Sequence, residues 1–281
     1  MHFLQIVWEP ASEGLKLFGD FKIHYYSMMW MAAFILGWYL MKKIYIQEQQ
    51  SEEKLDSLFI YSVLGILIGA RLGHVIFYQP ELFKQDFFSV FLPFRFNPEF
   101  EFTGFRGLAS HGAAIGMIIS MYLYNKKVLH KSVLWILDRV VIPVALGAIF
   151  VRVGNFFNSE MIGKPADESL PWAIIFKSYD NIPRHPGQLY EAFGYIFVFL
   201  TLWFLYWKGK KSKQTGFLFG LFLVLLMTVR LFVERFKIEQ VVGRDDWILG
   251  LNTGQVLSIP FILIGLYFMF LYKTKKSSLD K

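Results

Sequence analysis

Seven long apolar segments constrain this 281-residue chain more than any other feature of its sequence. Each is close to the roughly 20 residues that a helix needs to cross a bilayer. Hydrophobic residues make up 55% of the chain, more than is usual in a soluble domain. We therefore predict an all-α integral membrane protein with seven transmembrane helices. The predicted spans are at about 27–46, 57–79, 107–125, 133–151, 187–207, 215–236 and 252–272.

The distribution of basic residues predicts the orientation of these spans. The loops after the first, third, fifth and seventh spans carry 14 Lys and Arg in 41 positions, and the opposite side carries 11 in 109. Because short basic loops stay in the cytoplasm, the N-terminus is predicted outside and the C-terminus inside. The net charge of +7 is thus explained by topology, and no nucleic-acid partner is predicted.

Two outer segments interrupt what is otherwise a single polytopic membrane domain over residues 1–281. Residues 80–106 combine Phe, Pro and charged residues, and are predicted to form a surface arm or loop. Residues 152–186 are predicted to form an extracytoplasmic loop or small head. The WAIIF run in the second segment favours a short strand.

At the outer end of the fourth span, an apolar helix runs into a cluster of polar residues and glycines. The cluster consists of Arg152, Gly154, Asn155, Asn158, Glu160 and Gly163. Ionisable groups at membrane depth are costly and usually functional. The alternative is that Arg152 snorkels to the interface while the asparagines cap the helix. That alternative suits any one residue better than it suits the whole cluster.

Further polar groups fall at the same predicted depth, since a helix rises about 1.5 Å per residue. They are Tyr26, Arg71, His111, Glu191, Arg230 and Glu234. Arg230 and Glu234 are four residues apart and can form an ion pair. Planar guanidinium groups match phosphate, so arginines at this level predict a phospholipid-phosphate site open to the outer leaflet. Asp138 and Arg139 lie nearer the cytoplasmic end, where a structural role is favoured.

One histidine is a candidate proton acceptor, because imidazole titrates near neutral pH. His111 shares the polar layer with the arginines, although a lone histidine in a membrane helix is more often structural. His74 is a weaker rival one turn from Arg71. The chain contains no Cys, so it offers neither a disulfide nor a thiol nucleophile. Histidines and carboxylates do not show metal-ligand spacing, and we predict neither a metal nor a cofactor.

The run R-V-G-N-F-F-N-S-E-M-I-G from Arg152 to Gly163 resembles the signature of the bacterial prolipoprotein diacylglyceryl transferases. Other matches to this family follow in the expected order over most of the chain. They are Arg71-Leu72-Gly73 with Phe77-Tyr78, His111-Gly112, Asp138 with Pro143, the stretch from His185 to Glu191, and Arg230 with Glu234.

The resemblance implies an enzyme of the bacterial cytoplasmic (inner) membrane whose active site faces the outer leaflet. The family moves the diacylglyceryl group of phosphatidylglycerol onto the lipobox cysteine thiol of a prolipoprotein signal peptide, forming a thioether and releasing glycerol phosphate. By analogy, the catalytic residues are His111, Arg230 and Tyr26. The sequence leaves three candidates for the acceptor of the thiol proton: His111, a water activated by an arginine, and the lipid phosphate. By the same analogy, the residues that bind phosphatidylglycerol are Arg152, Asn155, Asn158, Glu160, Gly163, Glu234 and Arg71.

Some positions depart from the family pattern. Ala113 and Ala114 stand where many members have a second glycine, and Leu226 stands where some have a tyrosine.

Two other classes of membrane protein are alternatives to the transferase. A transporter or lipid flippase could use the same charged layer, although no related halves are visible. A structural membrane protein with buried ion pairs would not need so many polar groups at one depth.

Overall fold

The computed structural model describes residues 6–10, 14–18, 21–92, 94–96, 99–102, 107–238 and 249–272, most of which are helical. The α-helices within these ranges are α1 Tyr25–Gln47, α2 Glu52–Tyr78, α3 Leu82–Gln85, α4 Ser110–Tyr124, α5 Val133–Phe157, α6 Gly187–Trp207, α7 Phe217–Val233 and α8 Thr253–Leu266. Each of the seven predicted apolar segments forms a helix, so these helical assignments are confirmed.

Among the described residues, five helices are long and apolar enough to cross a membrane. They are α2, α5, α6, α7 with its extension to Phe236, and α8 with its extension to Leu271. Helix α1 is rich in Trp and Tyr, and α4 has only 15 residues before a π-helical turn at Asn125–Leu129. Large apolar side chains such as Ile118, Phe204 and Leu263 remain exposed, as expected for helices that face lipid.

Short strands add three small sheets that the all-α prediction did not include. The strands are β1 Ile6–Trp8, β2 Gly14–Phe18, β3 Phe21–His24, β4 Phe94–Arg95, β5 Glu101–Phe102, β6 Ile174–Phe176 and β7 Pro183–Arg184. Strand β6 lies in the WAIIF run and confirms the strand expected there. It pairs with β1 in parallel and with β7 antiparallel, while β2–β3 and β4–β5 are antiparallel pairs.

The chain divides into two compact units. The large unit comprises Met1–Met41 and Leu137–Lys281, and the small unit comprises Lys42–Ile136. The division falls within α1 and α5, and each unit is described by itself below.

In the small unit, α2 and α4 approach each other through small residues. A Cβ atom at Gly69 would lie 2.4 Å from the carbonyl oxygen of Gly112, and one at Gly112 would lie 2.2 Å from that of Gly69. Gly73 and Gly116 continue the same close contact. Small residues four apart allow membrane helices to pack backbone to backbone, so this seam fixes the first turn of α4, where His111 lies.

In the large unit, Asp138 and Arg139 make the kind of structural contacts that the sequence favours for them. The buried Asp138 carboxylate accepts hydrogen bonds from the backbone N–H groups of Gly216 (2.6 Å) and Phe219 (2.9 Å). It therefore caps the start of α7, where four N–H groups lack helical partners. Arg139 donates to the backbone carbonyl of Ser212 at 3.1 Å.

The sheet β1–β6–β7 and the loops around it form a small head in the large unit. Its core contains Ile162, Ile174 and Phe176, with Trp8 and Phe156 packed against them. Because Phe156 belongs to the last turn of α5, this core attaches the polar loop that follows α5 to the sheet. The head thereby holds the polar cluster predicted from the sequence.

Candidate functional site

Arg152 lies near the end of α5 and has polar partners on two sides. Its Nε atom is 2.8 Å from Oε2 of Glu191, which is fully buried on α6. Its Nη1 group donates to Oδ1 of Asn155 at 3.1 Å. The arginine side chain remains 19% exposed. Glu191 and Asn155 thus orient the guanidinium group while part of it stays accessible.

Glu160 connects the asparagines that follow Arg152. The Nδ2 groups of Asn155 and Asn158 donate to its two carboxylate oxygens at 3.0 and 3.1 Å. Helix α5 ends at Phe157, so Asn158 is not on a continued helix face with Arg152. The loop turns back instead, and the backbone N–H of Glu160 donates to the carbonyl of Asn155 at 2.9 Å.

Gly163 lies where the loop passes very close to two other backbone segments. A Cβ atom there would lie 2.2 Å from the carbonyl oxygen of His185 and 2.8 Å from that of Phe236. Its N–H donates to the His185 carbonyl at 3.1 Å, and its own carbonyl accepts from Nη1 of Arg184 at 3.2 Å. Only glycine fits this approach, which is the local reason for its place in the motif.

Arg230 and Glu234 form the predicted ion pair at the end of α7, with 3.4 Å between Nε and Oε1. Glu234 is buried, and its backbone carbonyl accepts a hydrogen bond from Asn252 at 3.0 Å. Gly254 leaves room for this carboxylate, since a Cβ atom there would lie 2.5 Å from it. Arg230 is therefore held by a glutamate whose own position is fixed.

Lys237 joins these two ion pairs, and sequence reasoning missed it. Its Nζ atom is 2.8 Å from Oε1 of Glu191 and 3.5 Å from Oε1 of Glu234. The result is a row of five alternating charges, which we call the charged row. It runs Arg152, Glu191, Lys237, Glu234 and Arg230. The three-residue spacing from Glu234 was the available signal, because it indicates a local pair.

Two further residues support this region and were not among the predicted site residues. Gln188 is fully buried, and its Nε2 group donates to the backbone carbonyl of Glu160 at 2.5 Å. The hydroxyl of Tyr195 donates to Oε1 of Glu191 at 3.3 Å. Both lie on α6, which begins in the stretch that carried part of the resemblance.

Tyr26 lies in the first turn of α1 and packs against the end of α5. A Cβ atom at Gly154 would lie 2.8 Å from its ring, so this glycine makes room for the tyrosine beside Asn155. Arg152, Asn155, Asn158, Glu160, Gly163, Arg230, Glu234 and Tyr26 all belong to the large unit. Most of the predicted site residues therefore meet in one compact part of the protein.

Arg71 and His111 belong to the small unit. The Arg71 guanidinium donates to the backbone carbonyls of Ser89 (2.6 Å), Val90 (3.2 Å) and Gly107 (3.5 Å). These contacts hold the middle of the segment predicted as an arm and the residue that follows its end. His111 is exposed in the first turn of α4, which begins at Ser110 and so three residues later than predicted.

The arm itself is held by polar contacts and covered with aromatic rings. Asp86 is buried and accepts hydrogen bonds from the Ser89 hydroxyl (2.5 Å) and the backbone N–H of Phe96 (2.7 Å). Phe94 and Phe100 stack with ring centroids 5.3 Å apart. Aromatic pairs of this kind add stability beyond their buried area, so they stabilise the described part of this segment.

The titratable groups of the head with shifted pKa values include His185 and Asp180. Burial lowers the pKa of His185, whose Nδ1 atom is 3.0 Å from the Tyr190 hydroxyl. The hydrogen bond from Arg184 lowers the pKa of the Asp180 carboxyl. The same arginine also binds the carbonyl of Gly163, so Asp180 stabilises the loop of the site through Arg184.

These contacts define what the large-unit cluster can do chemically. Two arginines are oriented by buried glutamates, and both keep part of their side chains exposed, 19% for Arg152 and 34% for Arg230. Oriented guanidinium groups stabilise phosphate and the charge that develops on a leaving phosphate oxygen. The cluster is therefore suited to bind an anionic phosphate group.

Comparison with known proteins identifies the family. The family model described as prolipoprotein diacylglyceryl transferase matches residues 13–271. A Bacteroides fragilis protein named phosphatidylglycerol–prolipoprotein diacylglyceryl transferase is 43% identical over 276 residues, covering 98% of both chains. A Tolumonas auensis protein of the same name is 39% identical, covering 92% of this chain and 95% of its own. The chain therefore belongs to the prolipoprotein diacylglyceryl transferase family, as the resemblance of its polar motif predicted.

Proposed function

We propose that this chain transfers the diacylglyceryl group of phosphatidylglycerol to the lipobox cysteine thiol of prolipoproteins. In this reaction a carbon–sulfur bond forms while the bond between the glycerol carbon and a phosphate oxygen breaks. The electron pair of the broken bond stays on the phosphate oxygen, and glycerol phosphate leaves. The thiol proton passes to a base. The names of the relatives support the two substrates, and the chain without cysteine takes its nucleophile from the partner.

The observation that carries this proposal is the orientation of Arg152. Its Nε and Nη1 atoms contact Glu191 and Asn155, so the guanidinium plane is fixed while the side chain remains partly exposed. A fixed guanidinium presents parallel donors to a phosphate, and its interaction strengthens as charge grows on the leaving oxygen. Arg230 serves as a second phosphate contact or gate, and Glu234 holds it in place.

The remaining roles follow the same chemistry. Asn155, Asn158, Glu160 and Gly163 shape the pocket for the lipid headgroup, and Tyr26 orients the substrate. His111 accepts the thiol proton. Arg71 contributes to lipid binding indirectly, because it holds the segment from Ser89 to Gly107. These assignments make His111, Arg230 and Tyr26 catalytic and the residues of the headgroup pocket substrate-binding.

A single experiment tests the function. Purified protein is incubated with phosphatidylglycerol and a lipobox peptide, and the peptide is analysed by mass spectrometry. A mass gain of one diacylglyceryl group on the thiol is the expected result. Translocation of the lipid without modification of the peptide would instead indicate a flippase, and the absence of both would leave only a structural role.

We place the protein in the bacterial inner membrane with seven spans, the N-terminus and both outer segments outside, and the active site facing the outer leaflet. The basic loops support this orientation, and the helices at the seven predicted positions support the proposed number of spans. The Cys-free chain allows a direct test with Lys211→Cys and Ala166→Cys. A membrane-impermeant thiol reagent is applied to cells whose outer membrane has been permeabilised and whose inner membrane is intact. It is expected to label position 166 and not position 211. The reverse pattern would overturn the orientation.

A further inference from the structure

The centre of the charged row is a lysine that contacts both glutamates. Lys237 has 4% of its side chain exposed, with Nζ 2.8 Å from Glu191 and 3.5 Å from Glu234. Each of these glutamates is also the ion-pair partner of an arginine, Arg152 in one case and Arg230 in the other. Lys237 is thus linked to both arginines through one intervening carboxylate.

The surrounding backbone holds this lysine in place. Its backbone forms a bridge with Gly163, in the loop of the site. Its N–H donates to the backbone carbonyl of Glu234 at 3.3 Å. A Cβ atom at Gly187, the first residue of α6, would lie 3.5 Å from the Lys237 side chain. A buried lysine so enclosed needs carboxylate partners, because an unpaired ammonium is costly to bury.

The charges of the row do not cancel. Three cations face two carboxylates, which leaves one positive charge in excess. Without Lys237, the two arginines and two glutamates would balance. A phosphodiester carries a single negative charge, so the excess positive charge matches one bound phospholipid phosphate. Glu160 lies at the exposed edge of the same site, where water screens its charge more strongly.

We infer that Lys237 is a positioning residue that supplies this excess charge and thereby lets the two arginines select an anionic phospholipid. The inference rests on the proposed function, in which both arginines bind the phosphate. Lys237 neutralises one oxygen of each glutamate, so that neither carboxylate fully offsets the arginine it holds. When the bond from carbon to phosphate oxygen breaks, the phosphate gains a negative charge, and the same excess stabilises it further.

The test uses Lys237→Met, which removes the charge and keeps most of the side-chain volume. Binding of phosphatidylglycerol and of zwitterionic phosphatidylcholine is measured in nanodiscs, together with kcat and KM. We expect phosphatidylglycerol affinity to fall about tenfold or more, since a unit charge a few ångströms away interacts strongly at the dielectric of a protein edge. Phosphatidylcholine affinity should change about twofold or less, because the choline cation of that lipid offsets the negative charge of its phosphate. A merely structural loss would weaken both lipids equally and would overturn the inference.

A second variant restores the excess charge by another route. Lys237→Met combined with Glu234→Gln leaves two arginines facing one glutamate, again one positive charge in excess. We expect it to regain at least part of the preference for phosphatidylglycerol over phosphatidylcholine, although Arg230 is less well held. It also keeps the inference testable if Lys237→Met alone does not fold, because it removes the charge of one carboxylate that has lost its lysine partner. A folded double variant with no anionic preference would contradict the inference.

Lys177→Met serves as the matched control, because Lys177 is an exposed head lysine that donates to Asn181. It should leave lipid preference and turnover unchanged. An effect as large as that of Lys237→Met would indicate that overall charge is the cause, and it would overturn the specific assignment.

Experiments on the wild-type protein distinguish a failure of the proposed function from a failure of the role inferred for Lys237. If it binds phosphatidylglycerol selectively and never modifies the peptide, the proposed function fails, while the lipid comparison still decides the role of Lys237.

Discussion

Two arginines, one in each compact unit, illustrate two uses of the same side chain. Arg152 in the large unit contacts a carboxylate and an amide, which orient it and leave it partly exposed. Arg71 in the small unit donates to three backbone carbonyls of the segment from Ser89 to Gly107. The first arrangement fixes a charged group for a ligand, and the second ties a loop to a helix.

The difference shows why an arginine at membrane depth is not by itself a binding residue. The sequence predicts phosphatidylglycerol contacts for Arg71 and Arg152 alike. The carbonyl contacts of Arg71 favour a structural contribution, while the contacts of Arg152 favour phosphate binding. The predictions below test this contrast, beginning with the residue in the small unit that is expected to carry chemistry.

His111→Ala should have the largest effect on turnover. General bases contribute about 10²- to 10⁴-fold, so thiol modification should fall by that factor while the protein remains folded and inserted. His74→Ala is the matched control. His74 packs beneath Gly107 and stacks on Tyr78, with 5.3 Å between ring centroids, so its loss should affect turnover much less. Near-full turnover of the His111 variant between pH 6 and 8 would assign the proton to another acceptor.

Arg152→Lys comes next in size. The ammonium keeps the charge but cannot present two parallel donors to a phosphate, so turnover should fall at least about tenfold, or roughly 1.4 kcal/mol. The loss of phosphatidylglycerol affinity should be smaller, because the charge on the phosphate grows in the transition state. Both are measured in one nanodisc preparation. Arg139→Lys should have a mild effect, because Arg139 contacts the backbone carbonyl of Ser212 and is not part of the charged row. Unchanged turnover at Arg152→Lys would remove the bidentate assignment.

Arg71→Lys makes the same change at the other arginine and should have a smaller effect on turnover. The ammonium group of a lysine cannot replace the planar guanidinium group, which donates to three backbone carbonyls at once. Losing about one net hydrogen bond should increase opening of the arm, and hence its cleavage by protease, roughly fivefold. If turnover instead falls as far as in Arg152→Lys while cleavage is unchanged, Arg71 binds lipid and the contrast between the two arginines disappears.

The smallest effect is expected at Asp180, which supports the Arg152 cluster from the head. Its pKa is lowered in the folded protein by Arg184, so its stabilising contribution is present above the ordinary pKa of aspartate and is lost as the pH falls through the folded value. Asp180→Asn should therefore lower Tm slightly at pH 7, and the difference from wild type should shrink at about pH 3. A difference that is the same at both pH values would exclude the charge of Asp180 as the cause.

Much of the fold could be predicted because membrane helices are encoded locally. All seven apolar segments form helices, since length and hydrophobicity decide whether a segment forms a helix of this kind. The helix ends were less predictable. Helix α5 runs to Phe157, several residues past its predicted end, and therefore contains both Arg152 and Asn155. Polar residues at a helix end do not show whether the helix stops before or after them.

The candidate site divides in the same way. Local spacing identified the motif from Arg152 to Gly163 and the pair of Arg230 with Glu234, and the structure contains contacts within both. The glycines along α2 and α4 recur at four-residue spacing, a pattern from which close packing of two membrane helices could have been predicted. The seam they form explains why the first turn of α4 sits where it does.

Only the tertiary structure decided which charges meet. Lys237 and Glu191 are 46 positions apart, and no local pattern pairs them. The same holds for Arg71 and the carbonyls of the arm, since a backbone acceptor leaves no trace in residue identity. The sequence by itself determined the helical membrane architecture and the polar motif, because both depend on near neighbours. The partners of each charge depended on how distant helices and loops pack, because burial forces each charged group to find a partner in the folded chain.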